Sequence, residues 1–454
     1  MIPVLTPAEA RALDVAAPVP VSELISRAGA AVARSAVEML GGTYGRTINV
    51  IAGPGNNGAD ARDAAARLSQ RGIKVRIWDP AECPQVLPAA DLVIDGAYGT
   101  GFRGSWEAPE VGNTPVLAVD IPSGLDALTG KMTGTVLAAT RTVTFVAGKP
   151  GVYLGEGPQV CGEVVVADIG LDVSGASIDV VTPHDVAGRW PRRSRSAHKW
   201  STAVRVIAGS SGMTGAAHLA SAAAMRSGAG IVHLSSPGIE TDSLLEVVGR
   251  SIPGFDWSAV VLADLHRFGA LVIGPGLGRG EHTAPSVVDT ITQALCPVVI
   301  DGDGLFAVTW NAQGPGAVLR SRRGATVLTP HDGEFALLAG SAPGPDRIAA
   351  ARSLAAETDA VVLLKGPTTV VADPLGQVLL VTNGSARLAT AGTGDVLAGI
   401  IGTLLASGVT AMWAAAMGAF VHAEAARLAP DAQLIASDLL AVLADMRPEA
   451  LGEI

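Results

Sequence analysis

The first third of the chain alternates short apolar runs with amphipathic stretches, a pattern typical of a parallel sheet covered by helices. An apolar run at residues 47–52 is followed by a glycine-rich turn and then by helical spacing at residues 59–70. Two later runs end in Asp95 and Asp120, which predicts strands whose carboxyl ends open onto a shared crevice. The pattern predicts one helix over residues 7–40 and strands at residues 47–52, 73–78, 91–95, 115–120, 141–146 and 163–167.

The same rhythm restarts after a polar segment, residues 182–199, which we interpret as a linker because it is rich in arginine. Helical spacing follows at residues 215–227, and the two halves share no obvious repeat. The pattern therefore predicts two different doubly wound, three-layer α/β domains, at residues 1–190 and 191–454. The expected strands of the second domain are residues 203–208, 271–273, 297–301, 325–328 and 360–364.

A stretch between Asp395 and His422 is long enough to span a bilayer, because 26 consecutive residues there carry no charge. Four glycines interrupt the stretch, however, and Ser407 and Thr410 are typical of a turn. We therefore predict two core helices in this region in place of a membrane span.

Composition narrows the class of protein. Hydrophobic residues make up 48% of the chain and charged residues 16%, which excludes disorder over most of its length. The net charge of -10, without a long basic stretch, argues against nucleic-acid binding. The three cysteines lack CxxC spacing, and the amino terminus lacks the pattern of a signal peptide. We expect a cytoplasmic homo-oligomer that binds small molecules and neither nucleic acid nor membrane.

The turn GPGNNGAD, residues 53–60, joins a predicted strand to a predicted helix. Its glycines let backbone N–H groups approach an anion at the helix amino terminus, where the helix dipole also favours negative charge. Asn57 could offer its amide oxygen to a cation. Asp60 either holds a sugar hydroxyl or stabilises the first helical turn by its charge.

Three segments, GPGNNG, VIDGAYGTGFRG (residues 93–104) and VDIPSGLD (residues 119–126), together resemble the NAD(P)HX epimerase family. The resemblance implies a Rossmann-like domain that interconverts the R and S hydrates of NADH and NADPH. It also implies a potassium ion held by Asn57, Asp95 and Ser123, with Asp120 as the acid/base group. The chain departs from the family's glycine-rich pattern at Ala59 and Ala61. The residues expected to contact the substrate are Asn56, Asn57, Gly58, Asp60, Gly99, Thr100, Gly101, Phe102, Arg103 and Gly104.

The strongest local signal in the sequence is ATAGTGDVLAG, residues 389–399. A Gly-Thr-Gly turn before an apolar helix points several N–H groups toward one place, which suits a phosphoryl group in transfer. Asp395 follows this turn and is placed to accept a proton from a substrate hydroxyl. The alternative is that Asp395 only stabilises the start of a core helix.

Other segments supply further candidates for the second domain. KGPTT, residues 365–369, offers one of only five lysines beside two hydroxyls, which suits nucleotide phosphates. GPGLG, residues 274–278, is another loop that a ligand could approach closely. His331 could face a substrate or serve the structure alone, and either Asp301 or Asp303 could help to hold Mg²⁺ through water.

These segments, preceded by residues 208–230, resemble the ADP/ATP-dependent NAD(P)HX dehydratases of the ribokinase-like superfamily. The resemblance implies phosphorylation of the C6 hydroxyl of the S hydrate by ADP or ATP with Mg²⁺, followed by loss of phosphate. Gly276, His331 and Asp395 would contact the hydrate, with Asp395 as the base. The residues expected to contact the nucleotide are Lys365, Gly366, Pro367, Thr368, Thr369 and Gly394.

Together the two resemblances imply a bifunctional NAD(P)H-hydrate repair enzyme, which acts on NADHX and NADPHX. Two alternatives stay open from the sequence. The second domain could phosphorylate a small alcohol such as a vitamin precursor, since related kinases share the GTGD arrangement. The first domain could be a binding module without activity, with Ala59 and Ala61 as the signs of that loss.

Overall fold

The computed structural model describes residues 1–240, 244–311, 314–430, 433–447 and 451, and these form two compact units. One unit contains Ile2–Asp179, and the other contains Val180–Ile454 together with Met1. The two units are the α/β domains that the sequence predicts, although the division falls earlier than residue 190.

The first unit carries a six-stranded sheet in which all the paired strands are parallel. The strand order is β3-β2-β4-β5-β6-β7, so β2 and β4 are neighbours, with β3 on one side of them and β5, β6 and β7 on the other. Apolar side chains on α2, α3 and the strands form its core. The elements are β1 (Ile2–Val4), α1 (Pro7–Val15), α2 (Val21–Leu40), β2 (Thr47–Ala52), α3 (Asn56–Gln70), β3 (Lys74–Trp78), β4 (Leu92–Gly96), β5 (Val116–Val119), β6 (Arg141–Phe145), α4 (Pro150–Tyr153), α5 (Gly157–Val160), β7 (Glu163–Ala167) and β8 (Ile178–Val180).

The single helix predicted over residues 7–40 is wrong, because the structure has two helices there, α1 and α2. Two prolines, Pro18 and Pro20, lie in the gap between them. A proline has no N–H to donate and disfavours helical geometry in the residue before it, so a helix cannot run through this segment undisturbed. Helix α1 is stabilised separately, because Thr6 and Glu9 form a capping box at its start.

The second unit has a larger sheet in which strands follow the order β17-β16-β15-β14-β13-β12-β9-β10-β11. The strands are parallel except that β16 runs antiparallel to β15 and β17. The elements are α6 (Pro183–Arg189), β9 (Ala203–Ile207), α7 (Thr214–Arg226), β10 (Ile231–Ser235), β11 (Val247–Gly249), α8 (Ser258–Leu265), β12 (Ala270–Ile273), α9 (Thr283–Gln293), β13 (Val298–Ile300), α10 (Asp303–Thr309), α11 (Pro315–Arg320), β14 (Thr326–Leu328), α12 (Asp332–Ala339), α13 (Arg347–Thr358), β15 (Val361–Leu364), β16 (Thr369–Ala372), β17 (Val378–Val381), α14 (Thr393–Ala406), α15 (Ala411–Leu428) and α16 (Ala436–Asp445).

Residues 183–189, which the sequence analysis includes in a linker, form helix α6 of the second unit. The Val181 N–H donates to the Leu380 carbonyl at 3.0 Å, and Val186 is fully buried in the core of this unit. The guanidinium of Arg189 lies 4.0 Å from the ring centre of Trp413. These contacts place the domain boundary before α6. The sequence predicts a linker here because the arginines conceal the apolar side on which the segment packs.

The uncharged stretch after Asp395 is confirmed as two helices, α14 and α15. The backbone reverses at Gly408, whose φ of +86° favours glycine. Gly399 lets α14 approach α7 closely, since an added Cβ would lie 2.2 Å from the Ala220 carbonyl oxygen. Across the described part of the chain, no helix combines the length and the apolar character needed to cross a membrane.

Two candidate active sites

A cavity of about 500 Å³ in the first unit brings together most of the residues predicted for the first site. Its polar lining includes Asn57, Asp60, Asp120 and Lys149, while helices α1 and α2 contribute mainly apolar side chains. The glycine-rich turn and the carboxyl ends of the strands form its floor, as expected for a doubly wound sheet.

The glycine-rich turn closes tightly at the start of α3. An added Cβ on Gly58 would lie 1.8 Å from the Gly53 carbonyl oxygen, so only glycine fits there. Asn57 donates from Nδ2 to the Tyr98 carbonyl at 3.0 Å. Its Oδ1 is buried without a hydrogen-bond partner, which leaves an amide oxygen available to a cation.

Asp95 and Ser123 lie close to Asn57, on the other side of the Tyr98 backbone. The Ser123 hydroxyl donates to Asp95 Oδ1 at 2.6 Å, and the Ser123 N–H donates to Asp95 Oδ2 at 2.9 Å. Tyr98 connects the group, since its N–H donates to Ser123 Oγ at 2.8 Å and its carbonyl accepts from Asn57. Burial raises the pKa of Asp95, against the hydrogen bonds from Ser123, so a nearby cation would favour its ionised form. Amide, carboxylate and hydroxyl oxygens are the donors that a hard cation prefers.

Asp120 lies at the end of β5 in a left-handed backbone conformation, with φ of +65°. Its Oδ1 lies 2.6 Å from the Lys149 ammonium and accepts from the Thr144 hydroxyl at 3.0 Å. Both partners are buried, so they hold the carboxylate in one orientation toward the cavity. No sequence motif marks Lys149, although it is one of only five lysines.

Two further carboxyl groups face the same cavity. Burial and the charges of Asp120, Asp14 and Asp63 raise the pKa of Asp60 to about 8. Burial also raises the pKa of Asp14, a residue of α1 that no sequence motif marks. Asp60 is therefore mostly protonated near neutral pH and can donate a hydrogen bond to a substrate oxygen.

The loop expected to wrap the substrate lies only partly in the cavity. Gly99, Thr100, Gly101 and Phe102 line it, whereas the Arg103 guanidinium turns back to the Phe102 carbonyl at 2.7 Å. Gly104 is exposed. The rings of Tyr98 and Phe102 stack with centroids 4.1 Å apart, which gives this loop an aromatic surface at the cavity.

Ala59 and Ala61, the two departures from the family pattern, do not line the cavity. Ala61 is fully buried against the sheet, where its Cβ faces Gly96. The neighbouring Arg62 donates to the Gly53 and Ala52 carbonyls at 2.7 Å each, so it braces the turn from behind. Both alanines are thus accommodated without a methyl group in the ligand's space.

The second site forms around the GTGD turn at the start of α14. Gly392 has φ of +89°, and Thr393 donates from Oγ1 to the Leu388 and Thr390 carbonyls at 2.8 and 2.9 Å. An added Cβ on Gly394 would lie 3.2 Å from the Lys365 ammonium, so the turn and the lysine are neighbours. This arrangement offers backbone N–H groups and a positive charge to one anion.

Lys365 forms an ion pair with Asp301, with Nζ and Oδ1 2.7 Å apart. The Thr329 hydroxyl donates to the same oxygen at 2.6 Å. Burial lowers the pKa of Lys365, but the nearby carboxylates, led by Asp301, outweigh it and raise the pKa above its ordinary value. The ammonium is therefore charged throughout the physiological range.

Burial raises the pKa of Asp395 to about 7, with a further contribution from the charge of Asp301 and an opposing one from Lys365. A carboxyl group with this pKa is poised to gain or lose a proton at neutral pH, as a general base requires. The charge of Glu334 acts on both Asp395 and Lys365, so the first turn of α12 faces the same site.

His331, predicted to face the substrate, also caps α12. Its Nδ1 accepts from the N–H groups of Gly333 and Glu334 at 3.0 and 3.2 Å, while the Glu334 carboxylate accepts from the His331 N–H. An accepting Nδ1 leaves the ring proton on Nε2. The side chain is 61% exposed, and its Nε2 lies 3.6 Å from Oε1 of the Glu334 carboxylate.

The GPGLG loop reaches the same edge of the sheet. An added Cβ on Gly274 would lie 1.9 Å from the Asp301 carbonyl oxygen, and Gly276 has φ of +60°. Asp303 holds the loop by accepting from the Gly278 N–H at 2.8 Å and from Arg279 at 2.9 Å. Asp303 thus has a structural task, while Asp301 is the carboxylate that pairs with Lys365.

The predicted nucleotide segment, residues 365–369, is held at Lys365 and at Pro367. Arg347 donates to the Lys365 carbonyl at 2.7 Å, and Gly384 approaches the Pro367 carbonyl so closely that an added Cβ would lie 2.0 Å away. Gly366 lies between these contacts, Thr368 follows them, and Thr369 begins β16. Of the predicted nucleotide residues, Gly394 and Lys365 are shown to be neighbours.

Comparisons with known proteins match a family model to each of the two units. Residues 204–448 match the family model described as NAD(P)H-hydrate dehydratase, and residues 21–87 and 79–151 match the model described as YjeF-related protein N-terminus. A dehydratase structure from Bacillus subtilis, co-crystallised with ATP and Mg²⁺, is 30% identical, with a TM-score of 0.50 over 58% of this chain and 95% of that chain. A ribokinase-like protein from Enterococcus faecalis, 20% identical, has a TM-score of 0.52 over 59% of this chain and 95% of that chain and supports the fold.

Relatives of similar length cover both units. The bifunctional NAD(P)H-hydrate repair enzyme of Mycobacterium tuberculosis is 39% identical over 85% of this chain and 84% of its own length. The enzyme of the same name from Moorella thermoacetica is 34% identical over 87% of this chain and 86% of its own length. The two family matches and these relatives agree. This chain belongs to the family of bifunctional NAD(P)H-hydrate repair enzymes.

Proposed function

We propose that the first unit epimerises the R and S hydrates of NADH and NADPH, and that the second dehydrates the S hydrate at the expense of ADP or ATP. The proposal rests on one observation in each unit. In the cavity of the first unit, Asp120 forms an ion pair with Lys149. In the second unit, Asp395 lies in the GTGD turn beside Lys365. Each unit alone would repair only part of a mixture of epimers.

In the first site, Asp120 exchanges the proton of the hydrate while Lys149 and Thr144 keep its carboxylate aimed into the cavity. Asn57, Asp95 and Ser123 would hold a potassium ion, which supplies positive charge to the anionic substrate. Asn56 and Asp60 contact the substrate from the turn, while Gly58, predicted as a further contact, lies outside the cavity lining and closes the turn against Gly53. The other contacts come from Gly99, Thr100, Gly101 and Phe102, whereas Arg103 and Gly104 lie outside the cavity lining.

In the second site, Asp395 removes the proton of the C6 hydroxyl as that oxygen attacks the terminal phosphorus of the nucleotide. Lys365 and the Gly394 N–H neutralise charge on the transferred phosphoryl group. Phosphate then leaves from C6 with a proton from C5, which restores the dihydronicotinamide. Gly276 and His331 contact the hydrate, and Gly366, Pro367, Thr368 and Thr369 contact the nucleotide. Mg²⁺ would accompany the nucleotide phosphates, with Asp301 as the nearest carboxylate beside Lys365.

Replacing K⁺ by tetramethylammonium should slow epimerisation at least about tenfold, because Asn57 Oδ1 then keeps no partner and the buried Asp95 carboxylate loses the positive charge that favours its ionised form. Asn57→Leu should show the slow rate with either cation. The measurement is the epimerisation rate as a function of K⁺ concentration. Dehydration in the same samples is the control, and an equal loss of both activities would contradict the assignment of this ion.

The dehydration rate should rise with pH through about 7, because Asp395 acts as a base only when its carboxyl group has lost its proton. Since Lys365 lowers this pKa, Lys365→Met should move the rise to higher pH as well as slow the reaction. Initial rates across the neutral range, with the substrate and nucleotide saturating, test both points. A rate that falls as pH rises through this range would exclude Asp395 as the base.

A further inference from the structure

Three residues at the second site follow the ends of three neighbouring parallel strands. Asp301 follows β13, Thr329 follows β14 and Lys365 follows β15. The Thr329 N–H donates to the Ile300 carbonyl at 3.2 Å, and the Lys365 N–H donates to the Pro330 carbonyl at 2.9 Å. Backbone hydrogen bonds therefore fix the three residues relative to one another, and strand ends of a sheet are a rigid support for a site.

Thr329 has no part in the mechanism above, because its side chain is fully buried and cannot touch a ligand. Its hydroxyl lies 2.6 Å from Asp301 Oδ1 and 3.3 Å from the Ile300 carbonyl oxygen. A hydroxyl has a single proton to donate, and a short hydrogen bond to a carboxylate is the stronger of the two. The Thr329 hydroxyl therefore donates to Asp301.

Asp301 is only 3% exposed, and the oxygen that accepts from Thr329 also lies 2.7 Å from the Lys365 ammonium. A carboxylate oxygen has about two lone-pair sites, so these two donors fill Oδ1. Because the donors come from two different strand ends, they fix the rotation of the carboxylate. Oδ2 is directed at the GTGD turn, since an added Cβ on Gly394 would lie 3.8 Å from it.

Lys365 needs such support because a lysine side chain has a flexible stem and a charge without a preferred direction. Its ammonium has three N–H donors, and Asp301 accepts from one of them. The ammonium lies 3.2 Å from the position of an added Cβ on Gly394, beside the turn. A rotation of the Asp301 carboxylate would carry the ammonium away from this position.

We propose that Thr329 is a positioning residue for phosphoryl transfer: it orients the Asp301 carboxylate, which in turn holds the Lys365 ammonium at the transferred phosphoryl group. The inference rests on the proposed dehydratase function of this unit. Thr329 acts through Lys365 and touches neither the hydrate nor the nucleotide. The role requires no change in the protonation state of any of the three residues.

Substitutions at this position separate positioning from burial. Thr329→Val keeps the shape of the side chain but removes the hydroxyl, so it should lower kcat for dehydration about tenfold. The KM values for the nucleotide and the S hydrate should change little, because the ammonium acts on the group in transfer. Thr329→Ala also lacks the hydroxyl and should show the same loss. Thr329→Ser keeps the hydroxyl and should recover most of it.

The same substitution in a Lys365→Met background tests whether Thr329 acts through the lysine. In that background, Thr329→Val should lower kcat by less than about twofold, because no ammonium is left to position. Independent effects would multiply, and the full loss of about tenfold would then appear again. The measurement is kcat for the native chain, the two single variants and the double variant.

Thr290→Val is the matched control, since Thr290 is also fully buried but its hydroxyl donates at 2.7 Å to the Ser286 carbonyl within α9. It should keep the native kcat, and thermal unfolding of each variant reports whether the second unit is folded. A native kcat for Thr329→Val, an equal loss in Thr329→Ser or Thr290→Val, or a full additional loss in the Lys365→Met background would overturn the inference. If the native chain itself does not dehydrate the S hydrate, the proposed function fails and the inference fails with it.

Discussion

Asp395→Asn should abolish nucleotide-dependent dehydration of the S hydrate, with a loss of at least about a hundredfold in kcat. The asparagine keeps the size of the side chain and its place in the first turn of α14, but it cannot accept a proton. Because burial and Asp301 raise the pKa of Asp395 to about 7, the native carboxyl group is matched to this task at neutral pH. The assay is the rate of dihydronicotinamide formation from purified S hydrate with ADP or ATP and Mg²⁺.

The control for this prediction is Asp438→Asn. Asp438 lies in the first turn of α16 and accepts from the Ile435 N–H at 2.9 Å, so it shares the helix-start environment of Asp395 but not the site. We expect this variant to keep its dehydration rate. If Asp395→Asn turned over as fast as Asp438→Asn, the carboxylate would be a helix-start charge and the base would lie elsewhere.

Asp120→Asn should stop epimerisation, again by at least about a hundredfold, and leave dehydration of the S hydrate unchanged. The substitution removes the acid/base oxygen and leaves the buried Lys149 without its ion-pair partner, so some loss of stability of the first unit is also expected. The measurement is chromatographic separation of the two epimers over time, without nucleotide.

Asp91→Asn is the matched control for the first site. Asp91 pairs with Arg46 at 3.0 Å and accepts from the Thr47 N–H, which places it at the amino end of β2, away from the cavity. It should retain native epimerisation. A parallel loss of both activities in Asp120→Asn would contradict the assignment of separate reactions to the two sites.

The sequence predicts the parallel strands of both units well because buried strands read as continuous apolar runs. The run at residues 47–52 coincides with β2, and the runs that end in Asp95 and Asp120 bring those residues to one edge of the sheet. The predicted strands of the second unit omit the parallel strands β10 and β11 as well as the antiparallel β16 and β17. The break between α1 and α2 was missed, although Pro18 and Pro20 signal it.

The candidate sites were predictable only where a motif carries them. The turns around Asn57 and Asp395 stand out because several glycines and polar residues occur together. Lys149 and Asp14 are brought to the first cavity by tertiary packing from β6–α4 and from α1, and no spacing along the chain relates them to Asp120.

The structure also bears on the alternative of an inactive first domain. That hypothesis takes Ala59 and Ala61 as signs of lost function, yet neither lines the cavity. Asp120 is paired with Lys149, and Asn57 is held by the Tyr98 carbonyl. Substituting both alanines by glycine should therefore change the epimerisation rate little. A large gain in rate would show that the methyl groups do restrict the turn.

The most direct test of the account is the recovery of dihydronicotinamide absorbance from a mixture of R and S NADHX with ADP or ATP and Mg²⁺. The native chain should restore the whole mixture, the S portion first and the R portion as it is epimerised. Asp120→Asn should stop near the S portion alone, apart from slow spontaneous epimerisation. No recovery with either nucleotide, or accumulation of a stable phosphorylated product, would contradict the account and favour a kinase of a small alcohol.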